Sequence, residues 1–440
     1  MEVLIMAGQL ILGLSILVGL HELGHLLAAK AFGMRVEQYF IGFPPKLVSI
    51  KRGETEYGIG AIPLGGFVKI SGMIDESLDT NHLKAAPQPW EFRAKPAWQR
   101  LIVMLGGIVV NILVGILIFV GMTYKNGNSY LATKDVKYGI VAYDLAKEIG
   151  LQTGDKIVKV NGKPFSDFGD IRSSDVFLGE NSYYTVERNG KQEDIYIPND
   201  FIEKLSDKKN AGQFIEPAQP FEVGEIASGM PAEKAGIKEG DRITGVNGQP
   251  VSFYHEFQQF IKANPGKQVT LAVQRNAQAL TLTSGVTPEG LIGIGVKTLL
   301  PVTHEEYTFG QALVVGSGRA FGVFFDQVKG FGKIFKGQIN PTKALSGPGK
   351  IARDLFGGVW IWDRFWLATA LLSMALAFTN LLPIPALDGG HSVILLYEIV
   401  SGRKPSDRFI EVAQRVGMVF LLALMAFVLF NDAFDIILKR

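Results

Sequence analysis

The chain has 440 residues, 47% of them hydrophobic and 20% charged, and a net charge of +2. With a mean hydropathy of +0.20, this is the composition of a membrane protein carrying soluble parts, two to four units by length, with no charge footprint for nucleic acid. There are no cysteines, which excludes disulfides and thiolate zinc sites, so any metal must be held by His, Asp or Glu.

A span needs roughly 20 mostly apolar residues. Four stretches qualify: 3–29, 101–124, 365–382 and 409–430. The first has no basic flank and no small-residue cleavage site before its apolar run, and reads as a retained helix rather than a signal peptide. In it sits HELGH, His21 to His25. On a helix, HExxH sets two imidazoles on one face, as a tetrahedral zinc requires, and places Glu22 as general base toward the water the metal activates. In soluble helices the pattern often arises by chance. Inside a span each ionisable residue costs roughly 2.5–3.5 kcal/mol or more, so three in metal spacing read as a site rather than as interface histidines paired with backbone.

Residues 30–100 carry ten Lys or Arg, and 402–408 carry Arg403, Lys404 and Arg408, whereas only Glu2 precedes the first span. The positive-inside rule then puts both loops in the cytoplasm and both termini outside, with Lys439 and Arg440 pulling weakly the other way. Within the first loop, GFPPKLVSIKRGETEYGIGAIPLGGFVKISG (42–72) alternates β-prone residues around KRGE, a hairpin signal. Strands at membrane depth are tolerated only against protein or a wet cavity, a condition met by a β-loop dipping beside the first helix.

The long segment after the second span contains a repeat. AKEIGLQTGDKIVKVNGKPFSDFGDI (146–171) aligns without a gap to AEKAGIKEGDRITGVNGQPVSFYHEF (232–257). Each copy reads as a short helix, a Gly-Asp turn, an apolar strand and an Asn-Gly reversal. The unit resembles a PDZ domain of bacterial envelope proteases, which implies domains at 127–220 and 221–300 able to capture an extended chain end along a sheet edge. In the following region (305–364), Phe321, Phe324, Phe325, Val328, Phe331 and Phe335 recur at helical spacing opposite Asp326, Lys329, Lys333 and Lys336. Glycines and charges argue against a fifth span, and the pattern predicts an amphipathic helix on the membrane surface.

Two histidines leave a zinc short of one protein ligand. His82, His255 and His304 fall in loops or in the repeat region, away from the spans. The remaining place is FTNLLPIPALDGGH (378–391), where Pro383 and Pro385 must break the helix and leave unwound backbone lining a cavity. Alone, Asp388 before two glycines reads as a turn residue. Beside a HELGH that lacks a ligand, it becomes the candidate.

HELGH in a first span, NLLPIPALDGG in a later one and PDZ-like repeats between them resemble the site-2 protease family of intramembrane zinc metalloproteases, over essentially the whole chain. The resemblance is nearest to the bacterial branch of the regulator of sigma-E protease type. It implies one zinc per chain on His21, His25 and Asp388, with Glu22 as catalytic base. It also implies that Asn380, Pro383 and Pro385 contact the substrate backbone and that 42–72 is a membrane-reentrant β-loop. LSGP (345–348) is similar to a family segment, but GKIA follows it and no role is assigned. Asn111, in GGIVVN, resembles a family position too, and a polar residue holding helices together explains it equally well.

The fold expected is a polytopic α-helical membrane protein with four transmembrane helices, a membrane-associated β-loop and two extracytoplasmic PDZ-like α+β domains. Its parts are 1–30 (first helix), 31–100 (cytoplasmic-side loop), 101–124 (second helix), 127–220 and 221–300 (PDZ-like), 305–364 (surface region), 365–390 (third helix) and 405–435 (fourth). The expected function is endoproteolysis of single-span membrane proteins in the bacterial inner membrane, with the site toward the cytoplasm. Helical amides are hydrogen-bonded and shielded, so the substrate segment must unwind, and pairing with the β-loop edge would hold it extended. By resemblance the substrates are anti-sigma factors already trimmed outside, and remnant signal peptides. An inert PDZ scaffold would be expected to lose Glu22 or Asp388. A transporter, the third class, would be expected to carry an inverted repeat, which the four spans lack.

Overall fold

The chain divides into two units, Met1–Gly127 with Glu306–Arg440, and Asn128–Glu305 between them. The computed structural model describes residues 1–73, 86–206, 210 and 214–438. The first unit contains α1 (Glu2–Ala31), β1 (Val36–Arg52), β2 (Thr55–Ile70), α2 (Ala97–Asn126), α3 (Phe309–Phe335), α4 (Trp362–Leu381), α5 (Asp388–Ser401) and α6 (Asp407–Leu438). Among the described residues, four helices are long and apolar enough to cross a membrane: α1, α2, α4 and Arg408–Phe434 of α6. Their outward side chains, Leu117 and Val416 among them, are large, apolar and exposed, a surface that hydrocarbon solvates and water does not.

The third apolar stretch does not continue to residue 390. Two prolines without amide donors end α4 at Leu381, and Asp388 opens a new helix instead of closing the old one. A carboxylate in a first turn suits the exposed amides and dipole there. Gly389 and Gly390 are required by close approach: a Cβ on either would lie 2.4 Å from carbonyl oxygens of residues 381, 382 or 384. Thus the loop folds back over the first turn of α5. At its other end α5 rests on α2, through Leu395 and the largely buried ion pair of Arg100 with Glu398 at 2.5 Å.

The β-loop starts at Val36, ahead of the glycine-rich pattern, and reverses at Gly53-Glu54 as KRGE implied, with Arg52 opposite Thr55. Its register is layered. Tyr39 faces Val68 on one side and Tyr57 on the other, while Val48 and Ile50 pair with Ile59 and Tyr57 from beyond. Among the described residues, 66–70 therefore pair on one side only and form an edge. The sheet is tied to α1 by the Tyr39 hydroxyl, which donates to the Gly19 carbonyl at 2.7 Å.

The segment expected on a membrane surface forms α3, opened by a capping box between Thr308 and Gln311. Its packed stripe is the small-residue row Ala312, Gly316 and Ala320, not the phenylalanine face. A Cβ on Gly316 would sit 2.6 Å from the Val120 Cα, so α3 runs against α2, and Phe324 and Phe331 both pack edge-on against Phe378 of α4. Small residues let the backbones meet, and the larger phenylalanines reach the second neighbour.

The second unit has two lobes with separate cores, one around Ile140, Ile171 and Tyr184, the other around Phe221, Phe257 and Leu271. Aligned positions make matching contacts. Asn161-Gly162 and Asn247-Gly248 all have positive φ, which suits tight reversals. Asp155 accepts from the Gln152 amide and Asp241 from the Lys238 amide. Each carboxylate is also gripped at 2.7 Å by an arginine on a later strand, Arg188 and Arg275 respectively. Strands Asn128–Leu131 and Val302–Glu305 pair and close the unit's ends, the second of them lying beyond the expected 221–300 bounds.

Burial pushes the Asp241 carboxyl up, but the Arg275 guanidinium and the Lys238 amide outweigh it and hold the group below the ordinary carboxylate range. A folded-state pKa below the unfolded one stabilises above about pH 3.9 and loses that contribution as the pH falls further. Asp241→Asn should therefore lower the thermal midpoint at neutral pH and flatten its acid-side decline. Parallel melting curves across pH 3–7 would contradict this.

Candidate metal centre

His21 and His25 lie one helical turn apart on the α1 face that meets α2. The helices approach this closely because the contact is made of glycine: a Cβ on Gly24 would come within 2.3 Å of the Gly106 carbonyl oxygen, and one on Gly107 within 2.5–2.6 Å of both imidazoles. Both rings are buried, edge to face, with centroids 4.8 Å apart. His25 Nδ1 is 2.7 Å from the Val103 carbonyl oxygen. A carbonyl only accepts, so Nδ1 carries the proton and Nε2 presents its lone pair.

That lone pair faces two further candidate ligand atoms. The Nε2 atoms of His21 and His25 are 3.3 Å apart, and Asp388 Oδ2 lies 3.1 Å from the first and 3.2 Å from the second. Asp388 Oδ2 is buried and has no hydrogen-bond partner. Three convergent acceptors are unfavourable unless a cation sits among them. Zinc bonds of about 2.0–2.1 Å in a tetrahedron require donors about 3.3 Å apart, and the three edges match. Two imidazoles and a carboxylate with one side open form a donor set suited to catalytic zinc. Among the described residues these three are the one group of His, Asp and Glu with donors gathered for a metal, all within 4.8 Å of one another. His255 and His304 belong to the second unit, and His82 lies outside the described residues.

The open side faces a cavity of about 540 Å³, bordered by Glu22, Asn380, His391 and the strand edge at 66–70. The Val68 backbone amide faces the Glu22 carboxylate, and Glu22 Cγ is 3.5 Å from where a Cβ on Gly66 would stand. Glu22 is thus held between the sheet edge and the histidine pair. Asn380 stands 3.3 Å from His21 Nε2. Pro383 and Pro385, expected at the substrate, do not border the cavity; Ala386 and Leu387 do, and the prolines set the path that brings them there. Ala386 itself takes φ +82°, a strained value for a residue with a side chain.

Sequence reasoning missed His391 and Gln414. They meet at 2.9 Å on the cavity wall, joining α5 to α6, and Gly417 of α6 lies directly against the Pro385 carbonyl. The readable signal was DGGH: three residues after Asp388, His391 returns to the same helix face.

The description "Peptidase family M50" matches residues 9–424. A Neisseria meningitidis serogroup A protein named as a zinc metalloprotease is 30% identical, over 96% of this chain and 97% of its own. The regulator of sigma-E protease RseP of Escherichia coli K12 is 30% identical with the same coverage, as is that of Salmonella typhimurium strain 14028s. With residues 9–424 matched and its donors gathered from two helices, the chain belongs to peptidase family M50 and is a zinc metalloprotease.

Proposed function

We propose that the chain is an intramembrane endopeptidase that cuts unwound transmembrane segments of single-span proteins, with His21, His25 and Asp388 holding zinc and Glu22 as general base. The observation that carries it is the convergence of His21 Nε2, His25 Nε2 and Asp388 Oδ2 at one end of a cavity walled by the strand edge at 66–70. When bound there, zinc supplies the Lewis acidity that makes water a nucleophile near neutral pH. Glu22 accepts the proton of that water, held in place by the Val68 amide. An extended substrate hydrogen-bonds to the edge at 66–70 in the manner of an added strand, with Asn380 beside its scissile peptide.

The two lobes, read as PDZ-like from their matched turns and arginine-held aspartates, screen chain ends outside the inner membrane. Substrates of this class are membrane proteins already shortened on that side, such as anti-sigma factors and remnant signal peptides. The relatives named as regulators of sigma-E protease support this reading. An inert scaffold is the second reading, and the retained Glu22 and Asp388 weigh against it.

The test incubates the purified protein with a single-span substrate, with and without a zinc chelator. Cleavage should stop with chelator and return with added zinc. Asp388→Ala should also lose bound zinc; cleavage resistant to chelation, or unchanged zinc content, overturns the assignment.

A further inference from the structure

We infer that Asn111 of α2 is a positioning residue for His21: its side-chain oxygen accepts the Nδ1 proton and so turns Nε2 outward as a lone pair. The inference rests on the zinc reading above.

Asn111 is fully buried, and its carboxamide lies 3.3 Å from His21 Nδ1. Its Oδ1 is buried without a partner. A neutral imidazole carries one proton on one nitrogen. With the amide NH₂ facing Nδ1, that proton must sit on Nε2, where it points at Asp388 and blocks a metal. A half-turn of the carboxamide puts the unpartnered oxygen against Nδ1, moves the proton there and frees Nε2.

His25 supplies the precedent within the same site, since Val103 on α2 already accepts from its Nδ1. One helix thus provides an acceptor for each imidazole, at positions 103 and 111, with Gly107 between them under both rings. The acceptor at 111 is itself anchored. Ser373 Oγ of α4, also fully buried, donates to the Asn111 backbone carbonyl at 2.7 Å and pins this turn of α2. A residue that only held helices together would need no contact with the His21 ring. Such supporting acceptors fix the ring's tautomer and orientation and raise its basicity as a ligand.

The test measures zinc affinity of the full-length protein in detergent by chelator competition, for Asn111→Ala, Asn111→Asp and Asp388→Ala. Asn111→Ala should weaken zinc binding by about 10–100-fold, the range typical of lost supporting contacts. Asn111→Asp, which can still accept from Nδ1, should bind zinc at least as tightly as the parent. A purely structural role predicts that both variants shift the melting temperature and leave the affinity of the folded protein unchanged, which overturns the inference. So does a loss of tenfold or more in Asn111→Asp, which decides the matter even where the alanine variant fails to fold. Asp388→Ala separates the levels. Full zinc binding there overturns the site itself, whereas its loss alongside an unaffected Asn111→Ala overturns only the role of Asn111.

Discussion

Glu22→Gln should reduce peptide hydrolysis by about 10²–10⁴-fold, the range that a positioned general base contributes, while zinc content stays at the parent level. The two side chains are nearly isosteric. The glutamine oxygen can still accept from the Val68 amide, so the wall between the sheet edge and the histidine pair keeps its shape. Glu22 does not belong to the trio that gathers around the metal position, and removing its charge removes no ligand. What glutamine cannot do is take a proton. The variant therefore separates chemistry from metal binding, which Asp388→Ala cannot. The check is single-turnover cleavage of a single-span substrate beside a zinc measurement on the same preparation. Retained cleavage would remove Glu22 from the mechanism. Lost zinc would mean the residue supports the metal and leave the base unidentified.

Much of this centre was legible in the sequence because its parts are local. HELGH sets two imidazoles on one helix face by spacing alone, and the cost of ionisable groups in hydrocarbon marks them as a candidate site. Asp388 was reachable because the prolines before it signal broken backbone and the histidine pair demands a partner. The turns of the second unit were legible for the same reason: Asn161-Gly162 and Asn247-Gly248 name their own backbone conformation. Long-range features were not. Nothing near Asp155 points to Arg188, or near Asp241 to Arg275, although both pairs hold a buried carboxylate. The packing of α3 was hidden by its phenylalanines, which suggested an interface with lipid, whereas three small residues meet α2 and Phe324 and Phe331 reach Phe378 of α4. The two prolines, expected beside the substrate backbone, bend the chain, and it is Ala386 and Leu387 that border the cavity. Asn111 was readable as polar but not as a partner of His21, because the contact spans 90 residues.

Gly107→Ala should cost the protein its metal although it is a favourable change for an isolated helix. In a helix interior the substitution is worth up to about 1 kcal/mol in intrinsic propensity. Here the added carbon would stand 2.5 Å from His21 Cε1 and 2.6 Å from both His21 Nδ1 and His25 Nε2, closer than carbon atoms approach either ring. Neither imidazole can step aside cheaply. His25 is held from behind by the Val103 carbonyl and His21 stands against Asn111, both on the helix that carries the intruding methyl. Parting the helices would break the backbone contact between Gly24 and Gly106, the residue next to Gly107, and so is not free either. The relief is rotation of the rings, which spoils the 3.1–3.3 Å spacing of the three donors. Zinc affinity should fall by at least the 10–100-fold seen when supporting contacts of a metal ligand are lost. Cleavage should fall by about 10² or more, as expected for a displacement of about 1 Å at reacting groups. Gly121→Ala on the same helix is the control, since its Cβ would meet nothing within 4 Å. It should leave zinc affinity and cleavage unchanged. If Gly107→Ala behaves like Gly121→Ala in a chelator competition, the glycine floor beneath the histidines is not what holds the site in shape.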